Sequence, residues 1–102
     1  MALKTILNYS PNFDEIPRLK KQIKFIIFHY TGMKKESEAI NRLTEIQSEV
    51  SAHYLIKNNG EIIEMVLEKY TAWHAGKSFW KKYSNLNKNS IGVEISNPGH
   101  EF

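Results

Sequence analysis

Ile23-Lys24-Phe25-Ile26-Ile27-Phe28-His29-Tyr30-Thr31-Gly32, residues 23–32, is the stretch whose reading decides the fold. Ile23 and residues 25–28 make a short, nearly continuous apolar run, rich in β-branched and aromatic side chains and stopped by Thr-Gly. That pattern predicts a strand buried on both faces, of the kind at the centre of an α/β sheet. His29 falls at its carboxyl end, where open α/β sheets place ligands and chemistry. A neutral imidazole held there is a good first metal ligand. It is equally the pattern of a buried histidine satisfied by a backbone carbonyl, and the strand alone does not choose between the two.

Working outward, residues 1–22 contain Pro11 and Pro17 and no sustained periodicity, so they read as an N-terminal arm with a short strand at 5–8. Beyond the anchor strand, Ser37 can cap a helix running to about residue 48. Its residues Ile40, Leu43 and Ile46 share one broad apolar face, which should lie on the sheet. Residues 51–57 and 61–66 are strand-like runs around Asn58-Asn59-Gly60, and Asn-Gly between two such runs is a strong hairpin signal. Residues 67–89 are too aromatic for a plain linker and too irregular for one helix, which suits an ordered functional loop. Ser90-Ile91-Gly92-Val93-Glu94-Ile95-Ser96 then reads as a strand closed by Asn97-Pro98-Gly99. Strand, helix, hairpin and strand predict an α/β (α+β) domain, a mixed β-sheet with helices on its faces. Residues 23–102 are assigned to that single domain, and a chain ending straight after a turn predicts a fold truncated at its C-terminus.

With 102 residues there is room for one core and not two. The absence of cysteine leaves only His and carboxylate to hold zinc. Fourteen basic residues against eleven acidic ones give +3, but the lysines are dispersed and no arginines cluster, so no nucleic-acid partner is expected. No stretch could span a membrane. The first residues carry too short an apolar run for a signal peptide, which favours a cytoplasmic location and leaves open export by routes without such a signal.

Besides His29, two places carry candidate chemistry. Glu94 interrupts an apolar strand, and such local inconsistencies tend to mark function. It suits a general base acting on a metal-bound water, or simply a solvent-facing strand residue. Trp73-His74-Ala75-Gly76 could stack on and hydrogen-bond a sugar or peptide, or anchor the loop. Phe79, Trp80 and Tyr83 read as packing, His53 as structural, and His100 as exposed. The chain has no Ser-His-Asp or Cys-His arrangement, phosphate loop or His-Glu-x-x-His helix.

The strings "IIFHYTGM", "EVSAHYLIKNNGEI", "AWHAGKSFW" and "NSIGVEISNPGHEF", in order from about Ser10 to Phe102, resemble the type 2 family of zinc-dependent N-acetylmuramoyl-L-alanine amidases, which includes the peptidoglycan recognition proteins. The resemblance implies hydrolysis, by zinc-activated water, of the amide joining N-acetylmuramic acid to L-alanine in peptidoglycan or muropeptides. It implies His29 as a zinc ligand, Glu94 as the catalytic acid/base, and Trp73 and His74 as contacts to the muropeptide. The family's second zinc histidine, third ligand and catalytic lysine have no counterpart before Phe102. The expectation is therefore an amino-terminal portion, inactive alone, that self-associates or is complemented by a C-terminal fragment. A non-catalytic muropeptide-binding module and a decayed remnant are the alternatives, as is a rebuilt zinc shell of His29, His74 and Glu94.

Overall fold

A computed structural model describes residues 5–76, 79–80 and 83–97, without the side chains of 79–80 and 83–84. The expectation for His100, and those for the side chains of Phe79, Trp80 and Tyr83, lie outside the described residues.

The described residues include nine short strands and one α-helix, with short 3-10 turns between them: β1 (Thr5–Leu7), β2 (Phe13–Asp14), β3 (Phe25–Tyr30), α1 (Glu36–Thr44), β4 (Tyr54–Ile56), β5 (Ile62–Glu64), β6 (Thr71–Ala72), β7 (Phe79–Trp80), β8 (Tyr83–Ser84) and β9 (Ser90–Ile95). Five of them make a mixed sheet in the order β1-β5-β4-β9-β3. The β4–β5 pair is antiparallel, as the Asn-Gly hairpin requires, with Gly60 at a φ of 89° that a side chain would resist. The β1–β5, β4–β9 and β3–β9 pairs are parallel. The α/β class, the mixed sheet, the strand at 5–7 and the hairpin agree with the sequence reading.

Two expectations are corrected. First, β3 is the outer strand beside β9, not a central strand buried on both faces. Its side chains alternate: Phe25, Ile27 and His29 are half-buried, whereas Ile26, Phe28 and Tyr30 are 61%, 62% and 71% exposed. No described element covers the face to which those three project, and a continuous apolar run cannot reveal that by itself. Second, Ser37 does not cap the helix. The N-cap is Lys35, which makes no side-chain cap bond, and the acids Glu36 and Glu38 complement the first turn. Glu36 is also tied across the fold by accepting the Asn58 N–H at 2.7 Å.

The helix ends at Thr44, whose hydroxyl bonds back to the Ile40 carbonyl at 2.8 Å, and Glu45 is extended. Ile46 therefore leaves the apolar face and is exposed. Ala39 and Leu43 of α1 pack with Ala52, Leu55, Ile63 and Met65 into the core on one face of the sheet. Buried Asn12 clamps the segment after the helix, donating to the carbonyls of Glu45 and Val50 at 2.8 and 2.9 Å. The core thus fixes α1 over the sheet, next to the carboxyl ends of β3 and β9.

Candidate active site

Parallel pairing of β3 with β9 sets His29 opposite Glu94. Paired residues on neighbouring strands, whose backbones run about 4.8 Å apart, project to the same face. Leu55 pairs with Glu94 from the other side, which places the carboxylate on the core face of the sheet. Glu94 lines a cleft of about 190 Å³ together with Thr31, Met33, Arg42, Trp73 and His74. Among the described residues its Oε2 is buried without a hydrogen-bond partner. Burial pushes the carboxyl up to about 7, and the Arg42 charge opposes that rise.

His74 is brought to this place by three constraints. Asn87 Oδ1 accepts the backbone N–H groups of both His74 and Ala75, at 3.1 and 2.7 Å. Gly76, at a φ of 59°, turns the chain away. Gly92 supplies the space: a Cβ there would lie within the His74 ring's own volume, 2.6 Å from Nδ1. The ring then contacts His29, with His29 Nε2 3.1 Å from His74 Nδ1.

The hydrogen bonds fix the tautomers. Ser90 Oγ donates to the Leu86 carbonyl at 2.7 Å, so it accepts from His74 Nε2–H at 3.0 Å. His74 Nδ1 therefore carries the lone pair, and His29 Nε2–H is the donor between the two rings. Burial, then the neighbouring His29, His53 and Arg18, holds His74 down at about 3, so it stays neutral. Burial also lowers His29. His53, fully buried, is structural: its Nδ1 accepts the Gly92 N–H at 3.0 Å and its Nε2 bonds the Tyr70 carbonyl at 2.8 Å.

Trp73 lines the cleft with its indole N–H donating to Asp14 Oδ1 at 2.8 Å, and its backbone N–H donating to Ser51 Oγ. It is thus both loop anchor and cleft wall, and the two readings of it are compatible. The structure brings Glu94, Trp73 and His74 to one cleft. His29 is not itself part of the lining and meets the group through His74. Arg42, Asn87 and Gly92 were not singled out from sequence. Gly92 alone carried a signal, as a glycine inside a strand.

A catalytic zinc normally takes three protein ligands and a water. Among the described residues no group of three His, Asp or Glu side chains is placed to hold one. The His29 imidazole and the orphaned Glu94 oxygen suit the neighbourhood of a metal, but the described donors do not make a complete zinc site. Nor, among the described residues, is any helix long and apolar enough to cross a membrane.

Comparison with known proteins gives the site a context. The family described as N-acetylmuramoyl-L-alanine amidase matches residues 19–102. The chain is 40% identical over 85 residues to N-acetylmuramoyl-L-alanine amidase AmiD of Escherichia coli, covering 76% of this chain and 30% of AmiD. It is 29% identical to 1,6-anhydro-N-acetylmuramyl-L-alanine amidase AmpD of Haemophilus influenzae, covering 84% of this chain and 55% of AmpD. Among solved structures, AmiD in complex with the substrate anhydro-N-acetylmuramic acid-L-Ala-D-γ-Glu-L-Lys superposes with a TM-score of 0.67 at 39% identity, over 76% of this chain and 32% of that one. The chain therefore spans between about a third and about half the length of these relatives.

Proposed function

This chain belongs to the N-acetylmuramoyl-L-alanine amidase family, and from that premise we propose that its cleft binds muropeptides and hydrolyses the amide between the lactyl group of N-acetylmuramic acid and L-alanine. The observation that carries the reading is the pairing of His29 with Glu94, whose buried Oε2 has no partner among the described residues. A carboxylate that retains its proton affinity near neutrality suits general base catalysis, a contribution of about 10²–10⁴-fold. Glu94 takes a proton from the attacking water as its oxygen adds to the lactyl carbonyl carbon. The proton is then delivered to the alanine nitrogen as the C–N bond breaks, leaving a carboxylic acid and a free alanyl amine. Trp73 offers the face on which the ligand lies, and His74, both of whose ring nitrogens are bonded within the protein, holds His29 beside it.

Zinc, which the family resemblance implies, would take the ring nitrogen of His29 that carries no proton as one ligand. Among the described residues the donors fall short of a full shell. A second reading is muropeptide binding without hydrolysis, for which the Trp73 wall of the cleft suffices. The exposed row of Ile26, Phe28 and Tyr30 further supports self-association of the chain.

The test is incubation of the purified chain with an anhydromuropeptide, with and without added zinc, followed by chromatography for stem peptide bearing a free alanyl amine. Release supports the amidase. Saturable calorimetric binding without release supports the binding module, and the absence of both rejects the assignment. Zinc analysis of His29→Ala beside the parent tests the ligand: equal zinc content in both would rule His29 out.

A further inference from the structure

Trp73 forms part of the cleft wall, and its main chain is fixed without help from its side chain. The Trp73 N–H donates to Ser51 Oγ at 2.9 Å, and the Trp73 carbonyl accepts the Ser51 N–H at 2.8 Å. Ser51 is held in turn, its hydroxyl donating to the Asn12 carbonyl. What these bonds leave free is the rotation of the indole about its side-chain torsions. One further bond removes that freedom: the indole N–H donates to Asp14 Oδ1 at 2.8 Å, across 59 residues of sequence.

Asp14 is itself a fixed acceptor. It lies in β2, whose pairing with β6 sets Phe13 opposite Ala72 and Asp14 opposite Thr71, two residues before Trp73. The Phe13 ring packs on Tyr70 with centroids 5.0 Å apart. Among the described residues Asp14 makes no ion pair. Arg18, on the same groove, spends its Nε and Nη1 on the carbonyls of Glu68, Asn87 and Lys88. A carboxylate bonded to an indole is a stronger tie than two neutral partners make. It also occupies the one donor an indole has, which leaves the ring alone to offer to a ligand. The family match begins at residue 19, so it assigns no role to Asp14.

We propose that Asp14 is a positioning residue: through the indole N–H it holds the Trp73 ring in the orientation that borders the cleft, so the aromatic wall is in place before the ligand arrives. This deepens the muropeptide reading and rests on it. The gain is preorganisation. Immobilising a side chain on binding costs affinity, and a ring already held by the N-terminal arm carries no such cost. Asp14 touches no ligand and acts through Trp73.

The experiment uses the whole chain, labelled with nitrogen-15, and anhydromuramoyl-L-Ala-D-γ-Glu-L-Lys as the probe. The indole resonance lost in Trp73→Phe is that of Trp73 Nε1–H. In Asp14→Ala this resonance should move toward that of a solvent-exposed indole, and probe affinity should fall about two- to tenfold. Asp14→Val, a better strand former, is measured beside it, so that a failure of the alanine variant to fold does not decide the outcome. Asp14→Asn keeps an acceptor oxygen and should recover most of both properties. In the Trp73→Phe background, which has a ring and no N–H, Asp14→Ala should cost no further affinity. An indole resonance or an affinity unmoved by loss of the carboxylate overturns the proposal and leaves the muropeptide reading standing. An equal loss in the parent and Trp73→Phe backgrounds does the same, since general destabilisation would produce it. Failure of the parent chain to bind the probe overturns both.

Discussion

Gly92 is the seat of His74: the imidazole ring occupies the volume that any side chain at position 92 would need. The dependence runs through β9, where the same glycine also gives its N–H to His53 and its carbonyl to the His53 N–H. Three histidines are thereby organised around one residue without a side chain.

Gly92→Ala should accordingly displace the His74 ring and break its contacts with His29 and Ser90. Inserting a methyl into a packed site typically costs about 1–3 kcal/mol. Urea denaturation of the variant should give a lower midpoint at unchanged slope, and the variant should lose muropeptide affinity. A fully stable variant with parent-like binding would mean that His74 is not held as described.

Glu94 sets a pH dependence in the metal-free chain. Its folded-state value of about 7 lies above the ordinary 4.5, so the folded state binds the proton more tightly than the unfolded state. The group supports folding below pH 4.5, and that support is lost as pH rises from there through about 7. Allowing for its solvent-facing part, Glu94→Gln should be more stable than the parent by roughly 1–2 kcal/mol at pH 8, with the difference vanishing at pH 4. Chemical denaturation at the two pH values in the presence of chelator checks this.

His74 should remain neutral from pH 8 down to about pH 4, given a value near 3. Its nitrogen-15 shifts should identify a protonated Nε2 and a bare Nδ1 across that range. Ser90→Ala removes the acceptor that fixes this tautomer and should mix the two forms. A His74 titration midpoint near 6.5 would contradict the burial and contacts described.

The exposed side of β3 predicts concentration-dependent association. Replacing Ile26 and Phe28 together by Thr keeps β propensity while removing the apolar row. Sedimentation should find the double variant shifted toward monomer relative to the parent at equal concentration. Identical distributions would separate this face from self-association.

The parts of the fold legible in the sequence were those written in local chemistry. Asn59-Gly60 specified the hairpin, and the period of two put Gly92 and Glu94 on one face of β9, while only the pairing with Leu55 makes that the core face. The position of β3 in the sheet was not legible, because an apolar run looks the same whether one face or both are covered. Helix capping was misread at Ser37 because Glu36 found a tertiary partner at Asn58, which displaced the local preference. At the site, His29 and Glu94 stood out as polar groups in apolar strands. The role of Asn87 was hidden, since it looks like one more loop asparagine. Only the folded chain sets the Asn87 Oδ1 against the backbone N–H groups of His74 and Ala75.

The central claim is that the Glu94 carboxylate, opposite His29, is the base for amide hydrolysis. It is tested most directly by comparing initial rates of stem-peptide release from anhydromuramoyl-L-Ala-D-γ-Glu-L-Lys by the parent and by Glu94→Gln, at matched zinc and after confirming equal ligand affinity. The account predicts release by the parent and a loss of about 10²-fold or more in the variant. Equal rates in the two proteins would contradict it.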